Sequence, residues 1–242
     1  MIVAEKTVLV TGANRGIGLA LVNEALKRGA KRVYAATRQP FTHSDSRVTP
    51  LTIDVTSEAQ IRKAFEQVGS LDVLINNAGI SLPDDLSDRA AFDRHFEVNV
   101  FGTYNMTKTF LPLLKRSRGA IVNVVSVSAL AALPILPAYS VSKAAAFSLS
   151  QSLRALLASL GVTVHIVLPG PVDTDMTRDL DVPYDKESPQ VVARNIFEGI
   201  ERGEEEIFPD PLSASLADGW RTGALKAFER QAAMLVQSDA AA

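Results

Sequence analysis

The chain of 242 residues contains no cysteine. Disulfide bonds, thiol nucleophiles and thiolate metal sites are therefore excluded. Histidine is also scarce, because His43, His95 and His165 are the only three and their spacing matches no metal site. We predict no bound metal, and we interpret these histidines as surface or core residues.

The sequence also lacks a strong charge of either sign and a long apolar run. A formal net charge of −2 and an isoelectric point near 6.0 favour neither nucleic acid nor an anionic membrane surface as a partner. No apolar run reaches the roughly 20 residues that a membrane helix needs. The first residues become polar too soon for a signal peptide, so we expect a cytoplasmic protein. We predict that residues 1–242 form one catalytic domain.

Short β-branched segments alternate with longer helical patterns along most of the chain. Strands are predicted at residues 7–11, 32–37, 48–53, 71–76, 120–126 and 162–168. Helices are predicted at residues 16–28, 57–67, 88–115, 139–160 and 189–202. Continuous apolar strands separated by helices indicate an α/β fold, a Rossmann-type doubly wound parallel sheet of about seven strands with helices on both faces.

Three segments depart from this regular alternation. Residues 39–48 are polar and too short for a helix, so we predict a loop as the second crossover. Residues 171–188 form a long connection rich in Asp, Thr and Pro, and loops of this length are often active-site lids. Residues 207–209 suggest a last short strand. Residues 210–242 form a C-terminal tail.

The tail is predicted to contain one weakly amphipathic helix from about Trp220 to Leu235. Its apolar residues include Trp220, Leu225, Phe228 and Leu235. Three interpretations remain open for these side chains: they pack on the core of the domain, they close a substrate cleft, or they extend a dimer interface.

A glycine-rich loop joins the first predicted strand to the first predicted helix, in the sequence Thr11-Gly-Ala-Asn-Arg-Gly-Ile-Gly18. Glycines let the backbone approach a pyrophosphate, and the helix N-terminus offers free N–H groups and a favourable dipole. A turn that serves only strand–helix packing is the alternative. The placement between strand and helix favours dinucleotide binding. The predicted contacts are Gly12, Asn14, Arg15, Gly16, Ile17 and Gly18.

The residue type at the end of the second strand indicates whether NAD or NADP is bound. An acidic residue there binds the ribose hydroxyl of NAD, whereas arginine accommodates the extra phosphate of NADP. This chain has Arg38 and no carboxylate in that stretch, and Arg15 adds a second guanidinium. The alternative is that both arginines are solvated surface residues that bind no phosphate. We predict that NADP(H) is preferred over NAD(H).

Tyr139 and Lys143 are four residues apart in a predicted helix, and Ser126 lies thirteen positions before the tyrosine. Residues at this spacing share one helix face. A lysine ammonium beside a phenol stabilises phenolate and lowers a tyrosine pKa, which is ordinarily about 10. The pattern therefore predicts a general acid–base pair, although Tyr-x-x-x-Lys alone is common on solvated helices.

The glycine loop, Asn76-Asn77-Ala78-Gly79, Ser126, Tyr139 and Lys143 follow one another in an order that resembles the short-chain dehydrogenase/reductase family. The resemblance covers about residues 5–205. It implies that Ser126 binds the substrate oxygen and that Tyr139 transfers the proton. It also implies that Lys143 lowers the pKa of Tyr139 and binds the nicotinamide ribose, and that Asn99 is the catalytic asparagine that helps to hold a water molecule.

The same resemblance implies further cofactor contacts. Asp54 and Val55 match the pair that flanks the adenine. The remaining implied contacts line the cofactor cleft or lie near the nicotinamide amide; they are Asn77, Ala78, Gly79, Pro169, Gly170, Val172 and Thr174. The chain departs from the family pattern at Val125, where a second serine is frequent, at Ala129, where a glycine is frequent, and at residues 204–210, which replace a glycine-rich last strand. Ser128 is a nearby rival hydroxyl to Ser126.

Together these features predict an NADPH-dependent oxidoreductase that reduces a ketone or aldehyde to an alcohol, or catalyses the reverse reaction. The expected partners are a small carbonyl or alcohol substrate and further copies of the chain in a homo-oligomer, a dimer or tetramer. The apolar residues Leu133, Ile135, Leu136, Val172 and Met176 suggest an apolar substrate. A non-catalytic NADP(H)-binding regulator and an enzyme of related chemistry, such as an epimerase, remain open alternatives.

Overall fold

The computed structural model describes residues 1–180 and 185–239, with the side chains of residues 235–239 left aside. Its strands are β1 (Thr7–Thr11), β2 (Arg32–Thr37), β3 (Val48–Thr52), β4 (Val73–Asn76), β5 (Ala120–Val124), β6 (Thr163–Val167) and β7 (Glu206–Ile207). They form one parallel sheet in the order β3-β2-β1-β4-β5-β6-β7. The predicted seven-stranded doubly wound sheet is confirmed.

The helices are α1 (Gly16–Lys27), α2 (Glu58–Gln67), α3 (Arg89–His95), α4 (Thr103–Ser117), α5 (Pro137–Leu157), α6 (Pro189–Arg202), α7 (Pro211–Arg221) and α8 (Ala224–Asp239). A π-helical segment, Phe96–Gly102, joins α3 to α4. The helix predicted over residues 88–115 therefore forms, but it changes its hydrogen-bonding pattern in the middle. Such π segments are often found at functional sites.

Apolar side chains cover both faces of the sheet. On one face, Val8 packs in a cluster with Leu21 of α1 and Phe197 of α6. On the other face, Leu9 packs in a cluster with Phe110 of α4. All five β1 residues are buried, which explains why its central residues, 8–10, are all apolar rather than alternating with polar ones.

The two edge strands are short or interrupted, which limits pairing with another chain. Pro50 lies in β3, and proline is tolerated there because one side of an edge strand has no partner. The crossover from β2 to β3 is a loop, as predicted. The last strand is Glu206–Ile207 rather than residues 207–209. Pro209 has no N–H to donate, so it cannot extend the ladder.

The tail contains two helices: α8 covers most of the helix predicted from about Trp220 to Leu235, whereas α7 was not predicted. Asp210 begins α7 by accepting a hydrogen bond from the Ser213 N–H at 2.9 Å, and Pro211 occupies the first helical position. Trp220 lies in the last turn of α7 and packs edge-on against Phe147, 5.2 Å between ring centres. It therefore belongs to the core of the domain.

The apolar residues of α8 behave differently from Trp220. Leu225 and Phe228 are 71% and 69% exposed, so they neither fill the core nor close a cleft. The helix is held instead by the buried Lys226, whose Nζ lies 2.9 Å from a Glu206 carboxylate oxygen. The side chain of Leu235 lies outside the described residues. None of the helices described is long and apolar enough to span a membrane.

The chain reverses its winding direction between β1 and β4, which are neighbours in the sheet. At such a point the connections leave in opposite directions and open a crevice at the carboxyl ends of the strands, where ligands of doubly wound folds bind. The glycine loop follows β1, and residues 77–79 follow β4.

Candidate active site

A cleft of about 760 Å³ opens at the carboxyl ends of the strands, a volume within the range of small-molecule and cofactor sites. The cofactor contacts predicted from the sequence all line this cleft: Gly12, Asn14, Arg15, Gly16, Ile17, Gly18, Arg38, Asp54, Val55, Asn77, Ala78, Gly79, Tyr139, Lys143, Pro169, Gly170, Val172 and Thr174. Residues that sequence reasoning missed also line it, among them Arg94, Glu97 and Val98, which lie in the turn before Asn99.

The glycine loop forms a close backbone cradle at one end of this cleft. Gly12 and Gly16 have φ angles of +65° and +51°, a left-handed conformation that favours glycine. A Cβ atom on Gly18 would lie 2.0 Å from the Gly12 carbonyl oxygen, so only glycine fits there. Arg15 begins α1 without a side-chain cap. The backbone N–H groups of the first turn are therefore suited to a pyrophosphate.

Thr11, which sequence reasoning did not select, joins the ends of β1 and β4. Its Oγ1 accepts hydrogen bonds from the backbone N–H groups of Asn77 and Ala78, both at 2.9 Å. The Asn77 side chain donates in return to the Thr11 carbonyl at 2.9 Å. Asn77 therefore braces the two strand ends as well as lining the cleft. The sequence feature that could have indicated this role is the position of Thr11, directly before the first glycine of the loop.

Two arginines and an acidic residue lie around the mouth of the cleft. Arg38 is exposed and lines the cleft next to Thr37. The Arg15 Nη1 lies 3.1 Å from a carboxylate oxygen of Asp175 in the predicted lid. Both partners are largely solvated, so this ion pair stabilises the fold little. Arg15 is thus shared between the glycine loop and the lid.

Asp54 is held in place by its neighbours after β3. Its carboxylate accepts hydrogen bonds from the Thr56 N–H at 2.9 Å and from the Thr56 hydroxyl at 2.8 Å. Its own N–H donates to the Gln60 side chain at 2.7 Å. The following residue, Val55, is buried against Gly102 of the π-helical segment, where a Cβ would lie 2.7 Å from Val55.

Ser126 follows β5 and begins a short 3-10 turn, Val127–Ala129. Its hydroxyl oxygen accepts hydrogen bonds from the Ser128 N–H at 3.1 Å and from the Ser128 hydroxyl at 3.0 Å. A serine hydroxyl accepts two hydrogen bonds and donates one, so the Ser126 proton is left to point elsewhere. Ser128 is buried and does not line the cleft. The rival hydroxyl therefore orients Ser126 rather than replacing it.

Lys143 and Tyr139 lie on the same face of α5 and both line the cleft. The Lys143 Nζ lies 5.6 Å from the centre of the Tyr139 ring. Its hydrogen bond at 3.0 Å goes to the Val124 backbone carbonyl. Burial lowers the pKa of Lys143 to about 8, because desolvation disfavours the ammonium form.

The expectation that Lys143 brings the pKa of Tyr139 below its ordinary value is not met in this geometry. Burial raises the pKa of Tyr139 to about 12, and an interaction with the Ser126 hydroxyl only partly opposes this rise. The physical reason is that the ammonium lies over the ring and bonds to a backbone carbonyl, so that desolvation of the phenolate dominates. Tyr139 is a protonated phenol at neutral pH.

Asn99 lies in the π-helical segment and, among the predicted catalytic and cofactor-binding residues, is the one that does not line the cleft. Its side chain accepts from the Ile80 N–H at 2.9 Å and donates to the Ile80 carbonyl at 3.0 Å. It also donates to the Ser142 hydroxyl at 2.9 Å. These contacts fix the strand-end loop beside Lys143. A Cβ built on Gly79 would lie 3.2 Å from the Asn99 Oδ1 and 3.6 Å from the Lys143 Nζ.

The predicted lid meets the glycine loop where it leaves β6. A Cβ built on Gly16 would lie 3.1 Å from the Thr174 methyl group. The Gly170 N–H, at the start of this connection, donates to the buried Asp210 carboxylate at 2.8 Å. The tail therefore anchors one wall of the cleft. Residues 181–184 of the predicted lid lie outside the described residues.

The apolar wall predicted for a substrate is only partly assembled at the cleft. Val172 and Met176 line it, whereas Leu133 and Ile135 are 38% and 60% exposed and do not. Leu136 does not line it either.

The histidines lie apart from one another. His95 is fully buried, and its Nε2 accepts from the Leu82 N–H at 3.0 Å. Burial lowers the pKa of His165, whose ring contacts the Glu204 carbonyl at 2.6 Å. In the part of the chain that the structure describes, no three acidic or histidine side chains gather into a possible metal site.

Comparison with protein families supplies the identification. The profile described as short chain dehydrogenase matches residues 6–184. The chain belongs to the short chain dehydrogenase family. An uncharacterised oxidoreductase of Staphylococcus epidermidis is 33% identical over 210 residues, which cover 82% of this chain and 90% of that protein. The chain is accordingly an oxidoreductase of this family.

Solved structures of the family share the fold. A short chain dehydrogenase of Burkholderia cenocepacia in complex with NADP is 36% identical, with a TM-score of 0.86 over 96% of this chain and 98% of that one. A short chain dehydrogenase/reductase of Burkholderia phymatum in complex with NAD is 23% identical, with a TM-score of 0.78 over 89% and 92%. The second likeness is one of fold alone. The NADP complex of the first relative and the close backbone approach at Gly12 and Gly18 of this chain both support a nicotinamide cofactor.

Proposed function

We propose that this short chain dehydrogenase is an NADP(H)-dependent enzyme that reduces a ketone or aldehyde to an alcohol, or catalyses the reverse reaction. The observation that carries the proposal is the convergence of Ser126, Tyr139 and Lys143 on the cleft that also contains the glycine loop. Packing alone does not require a serine, a tyrosine and a lysine to face one cleft. A regulator that only binds a dinucleotide has no use for a proton donor there.

The nicotinamide cofactor supplies or accepts the hydride at the substrate carbon when it is bound. The residues of the chain act on the substrate oxygen. Ser126 donates a hydrogen bond to that oxygen, since both of its acceptor positions are taken by Ser128. A donor held in place before the reaction stabilises the negative charge that develops there.

Tyr139 is the general acid in the direction of reduction. Its pKa near 12 keeps the phenol protonated at neutral pH, so that the proton is available for the developing alkoxide. Lys143, with a pKa near 8, is largely cationic at neutral pH, and its charge compensates the phenolate that proton transfer leaves behind. Asn99 supports this arrangement by fixing Ile80 and Ser142 around the lysine.

The preference for NADP(H) rests on Arg38. Its guanidinium lies exposed at the mouth of the cleft, directly after the second strand, and a planar guanidinium suits a ribose phosphate. The NADP complex of the Burkholderia cenocepacia relative supports the same preference. Arg15 contributes less than the sequence suggests, because Asp175 already pairs with it.

The substrate is a small molecule that enters beside Val172 and Met176, and these two side chains favour an apolar group next to the carbonyl. A homo-oligomer, a dimer or a tetramer, remains a prediction, as does the assignment of residues 171–188 as the substrate lid.

The test is to follow NADPH absorbance while the purified protein is mixed with a panel of aliphatic and aromatic ketones and aldehydes. We expect at least one carbonyl compound to oxidise NADPH, and the corresponding alcohol to reduce NADP⁺. Tight NADPH binding without oxidation by any member of the panel would contradict the proposal and would favour a regulatory role. A parallel series with NADH measures the cofactor preference directly.

A further inference from the structure

Helix α5 carries Tyr139 but has no capping side chain of its own. The residue that begins it is Leu136, which has no polar side chain, and Pro137 at the first helical position has no N–H. Ala138 therefore supplies the first backbone donor of the helix. Its N–H donates at 3.1 Å to the carboxylate of Asp84, which lies 54 residues earlier in the chain.

The segment that contains Asp84 is fastened to α3 and to the π-helical segment, both of which pack against α5. Ile80 is held by Asn99 through its N–H and its carbonyl. The Leu82 N–H donates to the buried His95 at 3.0 Å. Residues 80–84 therefore form a short strap that runs from the π-helical segment to the first turn of α5. The last residue of the strap, Asp84, contacts Ala138, which directly precedes Tyr139 in the chain.

We propose that Asp84 is a positioning residue for Tyr139, which it orients by capping α5 from a distant part of the chain; this inference rests on the proposed role of Tyr139 as the proton donor. A carboxylate at a helix N-terminus satisfies a free N–H and interacts favourably with the helix dipole. Asp84 does not line the cleft. Its effect on the reaction is therefore exerted through the backbone of Ala138 and Tyr139.

Because Asp84 is distant in the chain, its hydrogen bond to Ala138 connects α5 to another part of the fold. A cap supplied by a residue next to the helix fixes only that helix end. The Asp84 cap instead ties the first turn of α5 to residues 80–84, which Asn99 and His95 hold. The phenol of Tyr139 is thereby placed relative to Lys143 and to the cleft wall. A small displacement of a reacting group is enough to reduce the rate strongly.

Three variants separate this role from a general effect on the loop. Asp84→Ala removes the acceptor. Asp84→Asn keeps an oxygen that accepts the same hydrogen bond but removes the charge. Asp85→Ala is the matched control, because Asp85 has the same charge and a neighbouring position, and its carboxylate contacts only Ser87 among the described residues.

Two measurements are made on each variant: hydrogen–deuterium exchange of the peptide that contains Ala138, and steady-state kinetics with the best carbonyl substrate. For Asp84→Ala we expect faster exchange in the first turn of α5 and a kcat lowered by about tenfold or more. The dissociation constant of NADPH should remain within about twofold of wild type. Asp84→Asn should restore most of kcat, and Asp85→Ala should match wild type in both measurements.

The outcomes distinguish failure of this inference from failure of the proposed function. A wild-type protein that turns over no carbonyl compound contradicts the proposed function, and the positioning role fails with it. An active wild type whose Asp84→Ala variant keeps full kcat, or exchanges no faster at Ala138, overturns the positioning role alone. Loss of kcat in Asp85→Ala to the same extent, or failure of Asp84→Asn to recover, would also overturn it.

Discussion

The Lys143 ammonium lies 5.6 Å from the centre of the Tyr139 ring, yet its hydrogen bond goes to the Val124 carbonyl. The two side chains therefore lie side by side without a direct hydrogen bond between their polar atoms. Desolvation favours the neutral form of each side chain. It therefore raises the pKa of the Tyr139 phenol to about 12 and lowers the pKa of the Lys143 ammonium to about 8. The proton of the phenol is retained at neutral pH, which suits carbonyl reduction.

The pKa of Lys143 predicts a specific dependence of stability on pH. The unfolded chain keeps the lysine proton up to about pH 10.5, whereas the folded protein releases it near pH 8. The unfolded state therefore binds more protons between these values, and stability rises with pH in this window. Relative to Lys143→Met, the free energy of unfolding of wild type should rise by about 3 kcal/mol between pH 8 and pH 10.5.

Denaturant unfolding of both proteins at pH 7, 8, 9, 10 and 10.5 measures this difference. Subtracting the variant removes the contributions of the other titrating groups. A difference that is constant over the whole range would show that the lysine is not desolvated in the folded protein.

Ser128 is predicted to support catalysis by orienting Ser126. Ser128→Ala removes one of the two hydrogen bonds that Ser126 accepts, so the Ser126 proton is no longer directed to the cleft. We expect kcat to fall by about tenfold, equivalent to about 1.4 kcal/mol. The affinity for NADPH should be unchanged. Ser152→Ala, on the exposed side of α5, is the control in the same kinetic assay, and equal effects of the two substitutions would refute the assigned role.

The close approach of the backbone in the glycine loop leaves no room for a side chain at Gly18. A Cβ would lie 2.0 Å from the Gly12 carbonyl oxygen, so Gly18→Ala must displace the backbone that forms the cradle. We expect NADPH affinity to fall at least about 100-fold, or about 2.7 kcal/mol, in a fluorescence titration. Gly219→Ala has open space around its Cβ and should bind NADPH like wild type. Wild-type affinity in Gly18→Ala would contradict the cradle.

Arg38 is predicted to determine the preference between the two nicotinamide cofactors. Arg38→Asp should reduce the ratio of kcat/KM for NADPH to that for NADH by about 10-fold to 100-fold, because a hydrogen bond to a charged group is worth about 1.5–3 kcal/mol. Arg116→Asp makes the same charge change at an exposed position near the end of α4. An unchanged cofactor ratio in Arg38→Asp would refute this role.

Much of the fold was predictable because its signals are local. A few neighbouring residues are enough to predict each of these features: the continuous apolar strands, the helices ended by glycines, and the turn from Thr11 to Gly18. These features place the cofactor residues at one edge of the sheet by topology alone, since the carboxyl ends of parallel strands meet there. The cleft therefore contains the cofactor-binding residues that the sequence suggested.

The features that were missed depend on residues far apart in the chain. Gly170 bonds to Asp210, forty residues later, and Ala138 bonds to Asp84. No local pattern predicts either contact. The pKa of Tyr139 was misjudged for a related reason, because helical spacing places Lys143 nearby but does not give the burial of the phenol or the hydrogen bond to Val124. Helix α7 was different, since Asp210 and Pro211 are ordinary signals for a helix start.

The central claim is that Tyr139 supplies the proton, and Tyr139→Phe tests it most directly. The substitution keeps the ring in contact with the cleft and removes only the hydroxyl. With the best carbonyl substrate we expect kcat to fall by about 1000-fold, the scale of general acid catalysis. The dissociation constant of NADPH and the free energy of unfolding should stay close to wild type. A variant that binds NADPH normally and retains more than about a tenth of the wild-type kcat would contradict the account.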